Sequence, residues 1–269
     1  MATTEEILAR VNQRIADIQS RTGAIAGAQN VTEGRDRLFG TSDNDVIEGR
    51  GGNDLISGGF GDDNLSGGSG DDTVAGGFGN DYLQGGDGKD QLYGDFGDDL
   101  IFGDNGNDLL SGGVGSDVIF GGAGNDNLLG GINGEIGAPE GFFEDFLVGG
   151  SGSDTLNAFG GGRGNIEIDI LFGGGEVDAS GSITDSPDGV RDTFVLGDAN
   201  TPFYTDASSY AIIFDFEPGI DKLQLNSGVT YGAASDNQSF FATLPDGSND
   251  VIAIFPQGIN FSGSDITFV

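Results

Sequence analysis

Between Gly40 and Leu129 the chain repeats itself every nine residues without a gap: 90 residues, ten units. Among them are GRGGNDLIS (49–57), GGFGDDNLS (58–66), GGSGDDTVA (67–75), GGFGNDYLQ (76–84) and GGAGNDNLL (121–129), and an imperfect eleventh, VTEGRDRLF, precedes them at 31–39. Position one is glycine in all ten, and position four in nine, with Asp43 the exception. Position six is always aspartate: Asp45, Asp54, Asp63, Asp72, Asp81, Asp90, Asp99, Asp108, Asp117 and Asp126. Position eight is always aliphatic, from Ile47 to Leu128. A disordered Gly/Asp tract would keep this composition without keeping the register. Self-similarity at a fixed period points instead to a stacked repeat architecture.

Each column has a physical use. Glycines at turn positions permit positive φ and close backbone approach. Positions seven to nine read as a very short strand whose alternation sends only the eighth side chain inward. Two nonapeptides then make one 18-residue coil with a strand on each side, and coils stack at about 4.8 Å. The expected fold is all-β: a right-handed parallel β-roll, or solenoid. Its inward ladder of aliphatics is too thin to hold the fold unaided.

Stacking also sets one position-six aspartate above another. Two carboxylates about 5 Å apart repel by roughly 3 kcal/mol at an effective dielectric near 20. The formal net charge of −34 sharpens the problem. Residues 1–37 balance five acids against five arginines, so the rest of the chain carries all of that charge. An oxygen-only array of carboxylates and turn carbonyls suits a hard cation of flexible coordination, calcium before magnesium. Metal binding and folding are then one event. The plainer alternative is that each aspartate makes an Asx-turn on a solvated surface, which does not account for an invariant column.

The pattern G-G-x-G-x-D-x-aliphatic-x resembles the RTX, or hemolysin-type, calcium-binding repeats, densely over 31–129 and in fragments to about 195. The resemblance implies that the six glycine-rich residues form the turn and that each ion sits between turns of successive coils. Its implied ligands are the ten aspartates above, with turn carbonyls such as those of Gly59, Gly61, Gly77 and Gly79. Roughly ten calcium ions are expected on that basis.

After Leu129 the register is interrupted. Residues 132–145 (INGEIGAPEGFFED) read as a surface insertion, after which Asp145 restores half a unit, and GGSGSDTLN (149–157) is a full repeat with Asp154. IDILF (168–172) and RDTFV (191–195) offer Asp169 and Asp192 as further candidate ligands, and Asp36 offers another in the imperfect first unit. The roll is thus expected over 31–195, with a β-strand cap over 196–269. The stretches AIIFDFEPGIDKLQL (211–225), VIAIF (251–255) and DITFV (265–269) resemble the C-terminal region of RTX proteins, which caps the roll and ends in a type I secretion signal. Antiparallel strands closing a sheet edge are the structural reading of the same residues.

Residues 1–30 are expected to form a short α-helix and a lead-in. Thr3 and Glu6 make a capping box, Leu8, Val11, Ile15, Ile18 and Thr22 keep heptad spacing, and Gly23 ends the run. Such a stripe caps the open first coil or anchors a partner. The N-terminus lacks the basic-then-apolar form of a cleaved signal peptide, and no apolar run reaches the ~18 residues of a membrane span.

Histidine and cysteine are both absent, which removes Ser-His triads, HExxH zinc sites and thiol chemistry. The acidic balance excludes nucleic acid as a partner. A glycosidase using two acids in 130–210 is the one enzymatic alternative left. The function expected is non-enzymatic: a secreted, calcium-stabilised protein, part of a surface layer, matrix or filament and capable of self-assembly. The alternative is an adhesin or carbohydrate-binding module that recognises a cell-surface glycan. Phe60, Phe78 and Phe96 recur every 18 residues at position three, and either pack on one another or form a strip for such a partner.

Overall fold

A computed structural model describes Ala9, Gln13, 24–25, 31–132, 142–143, 145–158, 166–174, 176–177, 183–184, 189–196, 210–233, 238–243, 249–256, 258 and 265–269. Successive nonapeptides alternate between two parallel sheets. In the first sheet Asp45–Glu48, Asn64–Ser69, Tyr82–Asp87, Leu100–Asn105, Val118–Ala123, Phe146–Ser151, Ile166–Phe172 and Tyr210–Phe214 stand side by side. In the second, Arg37–Phe39 leads through Leu55–Phe60, Thr73–Phe78, Gln91–Phe96, Leu109–Val114, Asn127–Ile132, Thr155–Asn157, Thr193–Val195 and Lys222–Leu225 to Ile266–Phe268. Within the ten units, partners lie 18 residues apart, as in Val74↔Leu92. The chain is a parallel β-roll. Ten rungs of the second sheet stack to about 43 Å at the usual strand spacing.

Strands run longer than three residues. In Leu55–Phe60 the ladder passes the corner, pairing Leu55, Ile56 and Ser57, then Gly59 and Phe60, with the next coil. Position eight is buried along the whole stack, from Leu38 through Leu83 and Leu128 to Leu171. Position one faces inward too, and its glycine is required for space rather than for φ. A Cβ on Gly85 would stand 2.5 Å from Asp90 Oδ2 and 2.8 Å from the Gly103 carbonyl oxygen. Positions two and four carry the left-handed glycines, such as Gly77 (φ 115°) and Gly79 (φ 127°).

The tail prolongs the roll. Ile266–Phe268 pairs parallel to Lys222–Leu225, and Asn249–Ile254 parallel to Tyr210–Phe214. The reading of antiparallel strands closing a sheet edge holds for part of the tail: among the described residues that pairing joins Thr230–Ala233, Ser239–Thr243 and Asn249–Ile254, which end the first sheet, and the short pair Glu176–Val177 and Ile183–Thr184. Parallel addition wins because each new strand keeps its aliphatic residue over the inner ladder, where Phe194, Leu223 and Phe255 are buried.

A second apolar layer lies on the opposite face of the first sheet. Its positions seven and nine supply Leu100, Val118, Phe120, Phe146, Val148, Ile170, Phe172, Ile212 and Phe214, all buried. Phe172 and Phe214 stack at 4.7 Å. Of the expected N-terminal helix, only Ala9 and Gln13 are described; both are helical and exposed. The remaining helical positions and most of the 132–145 insertion lie outside the described residues. No helix among the described residues is long and apolar enough to cross a membrane.

Candidate metal centre

The position-six aspartates form two buried columns, one along each edge of the roll. In each, the main-chain N–H of one aspartate donates to Oδ1 of the aspartate one coil later. Asp45 donates to Asp63, Asp63 to Asp81 and Asp81 to Asp99, each at 2.7 Å. Asp99 donates to Asp117 at 2.9 Å and Asp117 to Asp145 at 2.8 Å. The second column runs from Asp36 through Asp54, Asp72, Asp90, Asp108 and Asp126 to Asp154 at 2.7–2.8 Å.

Beyond the regular repeats the columns continue. Asp145 donates to Asp169 at 3.0 Å, Asp154 to Asp192 at 2.9 Å and Asp192 to Asp221 at 3.0 Å. Each link spans a longer stretch of sequence, 24, 38 and 29 residues. The fold thus absorbs the insertions without breaking the columns. Asp221 was missed in the sequence; its signal is the half-unit DKLQL.

Position five adds a ladder of the opposite sense. The Asp62 N–H donates to Asn44 Oδ1 (3.0 Å), Asn80 to Asp62 Oδ1 (2.9 Å), Asp98 to Asn80 Oδ1 (3.1 Å) and Ser116 to Asp98 Oδ1 (3.0 Å). One side chain reaches backward along the roll and the next forward, so each turn is tied to both neighbours.

What remains is Oδ2. In Asp54, Asp63, Asp72, Asp81, Asp90, Asp99, Asp108 and Asp126 this oxygen is buried and takes no hydrogen bond. An ionised oxygen in that position is costly. Burial, the largest cause, pushes Asp81 and Asp108 up to about 7, and Asp63, Asp72, Asp90 and Asp126 up to about 6. Asp99 is raised well above the usual carboxylate range by burial and then by the charge of Asp117. The bond from the preceding N–H offsets part of this, while column neighbours such as Asp63 beside Asp81 add to it.

Each such Oδ2 faces a second acceptor rather than a donor. Asp90 Oδ2 shares its cradle with the Gly103 carbonyl, and Asp72 Oδ2 with that of Gly85. These position-one carbonyls were not singled out from the sequence. The Gly59 and Gly61 carbonyls abut Gly77 and Gly79 of the next coil, on the same edge as Asp63 and Asp81. At two equivalent cases of position two, Thr41 and Arg50, the carbonyl already accepts from the next coil, at 3.2 Å from Phe60 and 2.8 Å from Ser69. Among the described residues no three acidic side chains converge on one point. A cation here would have to draw on carboxylate and main-chain oxygen together. That donor set, all oxygen and charged, fits calcium.

Two aspartates of the ten-unit reading and its lead-in differ. Asp45 Oδ2 accepts from the Thr41 N–H (2.5 Å) and hydroxyl (3.0 Å). Asp36 Oδ2 accepts from the Thr32 N–H (2.7 Å). At the far end Asp221 Oδ2 accepts from the Glu217 N–H (2.7 Å). The residue at position two decides the matter near the N-terminus. Threonine there, with φ not positive, points its N–H at the carboxylate. A left-handed residue, as in Arg50, Gly59 or Gly77, leaves Oδ2 without one.

The sequence matches the RTX calcium-binding nonapeptide repeat in four copies, over residues 31–65, 66–101, 102–133 and 141–162. RTX repeats fill residues 31–133 and 141–162. No curated protein matches the chain. The RTX repeats mark a Ca2+-binding β-roll, and the orphaned carboxylate oxygens fall within them. Calcium would supply positive charge there, and Asp54, Asp63, Asp72, Asp81, Asp90, Asp99, Asp108 and Asp126 are the residues whose unpaired oxygens would hold it. Asp117, Asp145 and Asp154 are buried in the same columns.

Phe60, Phe78 and Phe96 come together outside the columns. Their rings stack at 4.9 and 4.6 Å with interplanar angles of 9° and 3°. Each remains about half exposed, at 58%, 48% and 49%.

Proposed function

We propose that this chain is a secreted, non-catalytic protein whose roll folds when extracellular calcium fills the two aspartate columns, and which then serves as a stiff unit of a surface layer, matrix or filament. One observation carries the reading: buried, unpaired Oδ2 atoms repeated along a chain of net charge −34. Without cations that interior is strongly self-repelling. Extracellular calcium modules work at about 10⁻⁴–10⁻³ M, far above cytosolic levels, so the same chain stays unfolded inside a cell and orders outside.

The carbohydrate-binding alternative has less support. A sugar packs on an aromatic face, and the faces of Phe60, Phe78 and Phe96 are largely spent on one another.

The test is a calcium titration of the purified chain followed by circular dichroism and light scattering together. Strand signal should rise cooperatively in the sub-millimolar to millimolar range, with assembly following the folding. A cooperatively folded chain in chelator at neutral pH would defeat the metal-driven reading. A saturated chain that stays monomeric at all concentrations would defeat the structural one.

A further inference from the structure

Position two is where this roll departs from uniformity. It is a left-handed glycine in most units, with φ of 112° at Gly59, 115° at Gly77 and 112° at Gly113. In two consecutive units at the centre of the roll it is aspartate instead, Asp95 (φ 73°) and Asp104 (φ 68°). The register confirms the equivalence, since Gly77, Asp95 and Gly113 pair in one sheet and Gly86, Asp104 and Gly122 in the other. A side chain there holds a conformation that glycine adopts at no cost. Aspartate tolerates it better than most residues, yet the chain adopts it twice, once beside each column.

These carboxylates stand close enough to the columns to be felt. In the register Asp95 lies beside Gly77, four residues before Asp81, and Asp104 lies beside Gly86, four residues before Asp90, and is itself four residues before Asp108; their charges push those carboxylates in the same direction as burial does. The affected Asp81, Asp90 and Asp108 are 0–3% exposed, and their Oδ2 atoms are without hydrogen bonds. Asp104 is also fixed in place, its Oδ2 accepting from Gln84 Nε2 at 2.7 Å. Near the N-terminal end the same position carries Arg50, left-handed at φ 75° and of opposite charge.

We infer that Asp95 and Asp104 make the central calcium positions, those served by Asp81, Asp90 and Asp108, the tightest in the roll, so that filling starts there and spreads toward both ends. The inference rests on the calcium reading above and adds to it an order of affinities. Each extra carboxylate raises the attraction for a divalent ion without closing the cradle, because the left-handed backbone is kept. A full charge near such a site, partly screened, corresponds to about a tenfold change in affinity.

Calcium binding to the full chain, followed by calorimetry and by circular dichroism, tests this with three variants. Asp95→Asn with Asp104→Asn keeps the shape and removes the charge. The tightest class of sites should weaken about tenfold. Asp95→Gly with Asp104→Gly should show the same weakening, while the metal-free chain at pH 4 melts at the wild-type temperature or above, since strain is relieved. Glu48→Gln, which removes one carboxylate charge at an exposed site, should leave the tightest class unmoved. Wild-type affinity in both double variants, or equal weakening in Glu48→Gln, would overturn the inference while leaving the calcium reading intact. A wild-type chain that ignores calcium would overturn both.

Discussion

The middle of the roll and its ends use the same aspartate in the same column, and satisfy it in different ways. At Asp36, Asp45 and Asp221 the second carboxylate oxygen takes a main-chain N–H from four residues earlier. From Asp54 to Asp108 it takes none. The ends are closed by the chain itself, whereas the middle is closed only by something the chain does not contain. A column of aspartates is therefore not one site repeated. Its N-terminal boundary is written at position two, where threonine turns a donor inward and glycine does not.

The strongest way to break that comparison is to remove calcium and vary pH. In the metal-free roll Asp81 and Asp108 titrate near 7 and Asp63, Asp72, Asp90 and Asp126 near 6, all above the ordinary value of 3.8. The folded state thus holds protons that the unfolded state releases, and stability falls as pH rises from about 4 through 7. Chelated protein should be folded at pH 4 and lose its strand signal by pH 7.5, where calcium restores it. Protons and calcium compete for the same oxygens, so the calcium midpoint should rise as pH drops through 7 and 6. A chelated roll that is more stable at pH 7.5 than at pH 4 would contradict the unpaired middle.

Next in size is filling the cradle. Gly85→Ala places a methyl group 2.5 Å from Asp90 Oδ2 and 2.8 Å from the Gly103 carbonyl, so something must shift, at a cost of about 1–3 kcal/mol. The loss should be larger with calcium than without, because the methyl group also obstructs the oxygens meant for the ion. Thermal melts at pH 7.5 with calcium and at pH 4 without it measure the difference. Equal losses would mean that the cradle is ordinary packing.

How far this division was legible in the sequence varies by column. The nine-residue period exposes the inner ladder and the aspartates at once, because over ten units position six is always aspartate and position eight always aliphatic. The outer apolar layer of the first sheet needs a period of 18, since Phe102 and Phe120 alternate with Ser111 and Leu129 in the other sheet. Asp221 hides because no glycine pair precedes it and its turn is 29 residues from the last. The threonines at positions 32 and 41 were visible, but their meaning depends on where an N–H points, which follows from φ rather than from residue type alone.

Asp45→Asn against Asp81→Asn sharpens the comparison at single-residue scale. At Asp45 the exchange weakens charge-assisted bonds from Thr41. It should cost about 1 kcal/mol whether or not calcium is present. At Asp81 it deletes a buried charge, so the variant should be more stable than wild type in chelator and less stable in calcium. The sign reversal is the diagnostic, read in calcium from urea melts at pH 7.5, and in chelator from the strand signal as pH is raised, which Asp81→Asn should hold to a higher pH than wild type.

Phe78→Ala is the smallest effect and the control for all the others. Phe78 lies in mid-roll, stacked between Phe60 and Phe96 at 4.9 and 4.6 Å, yet it is 48% exposed and touches neither column through a charge. Its loss should cost about 0.5–1.5 kcal/mol from the two ring contacts, and the same amount in calcium at pH 7.5 as in chelator at pH 4. Position along the roll would then matter only for residues whose oxygens await the ion. If Phe78→Ala instead shifted the calcium midpoint as far as Asp81→Asn does, the middle would be special for its packing, and the distinction drawn from the carboxylates would fail.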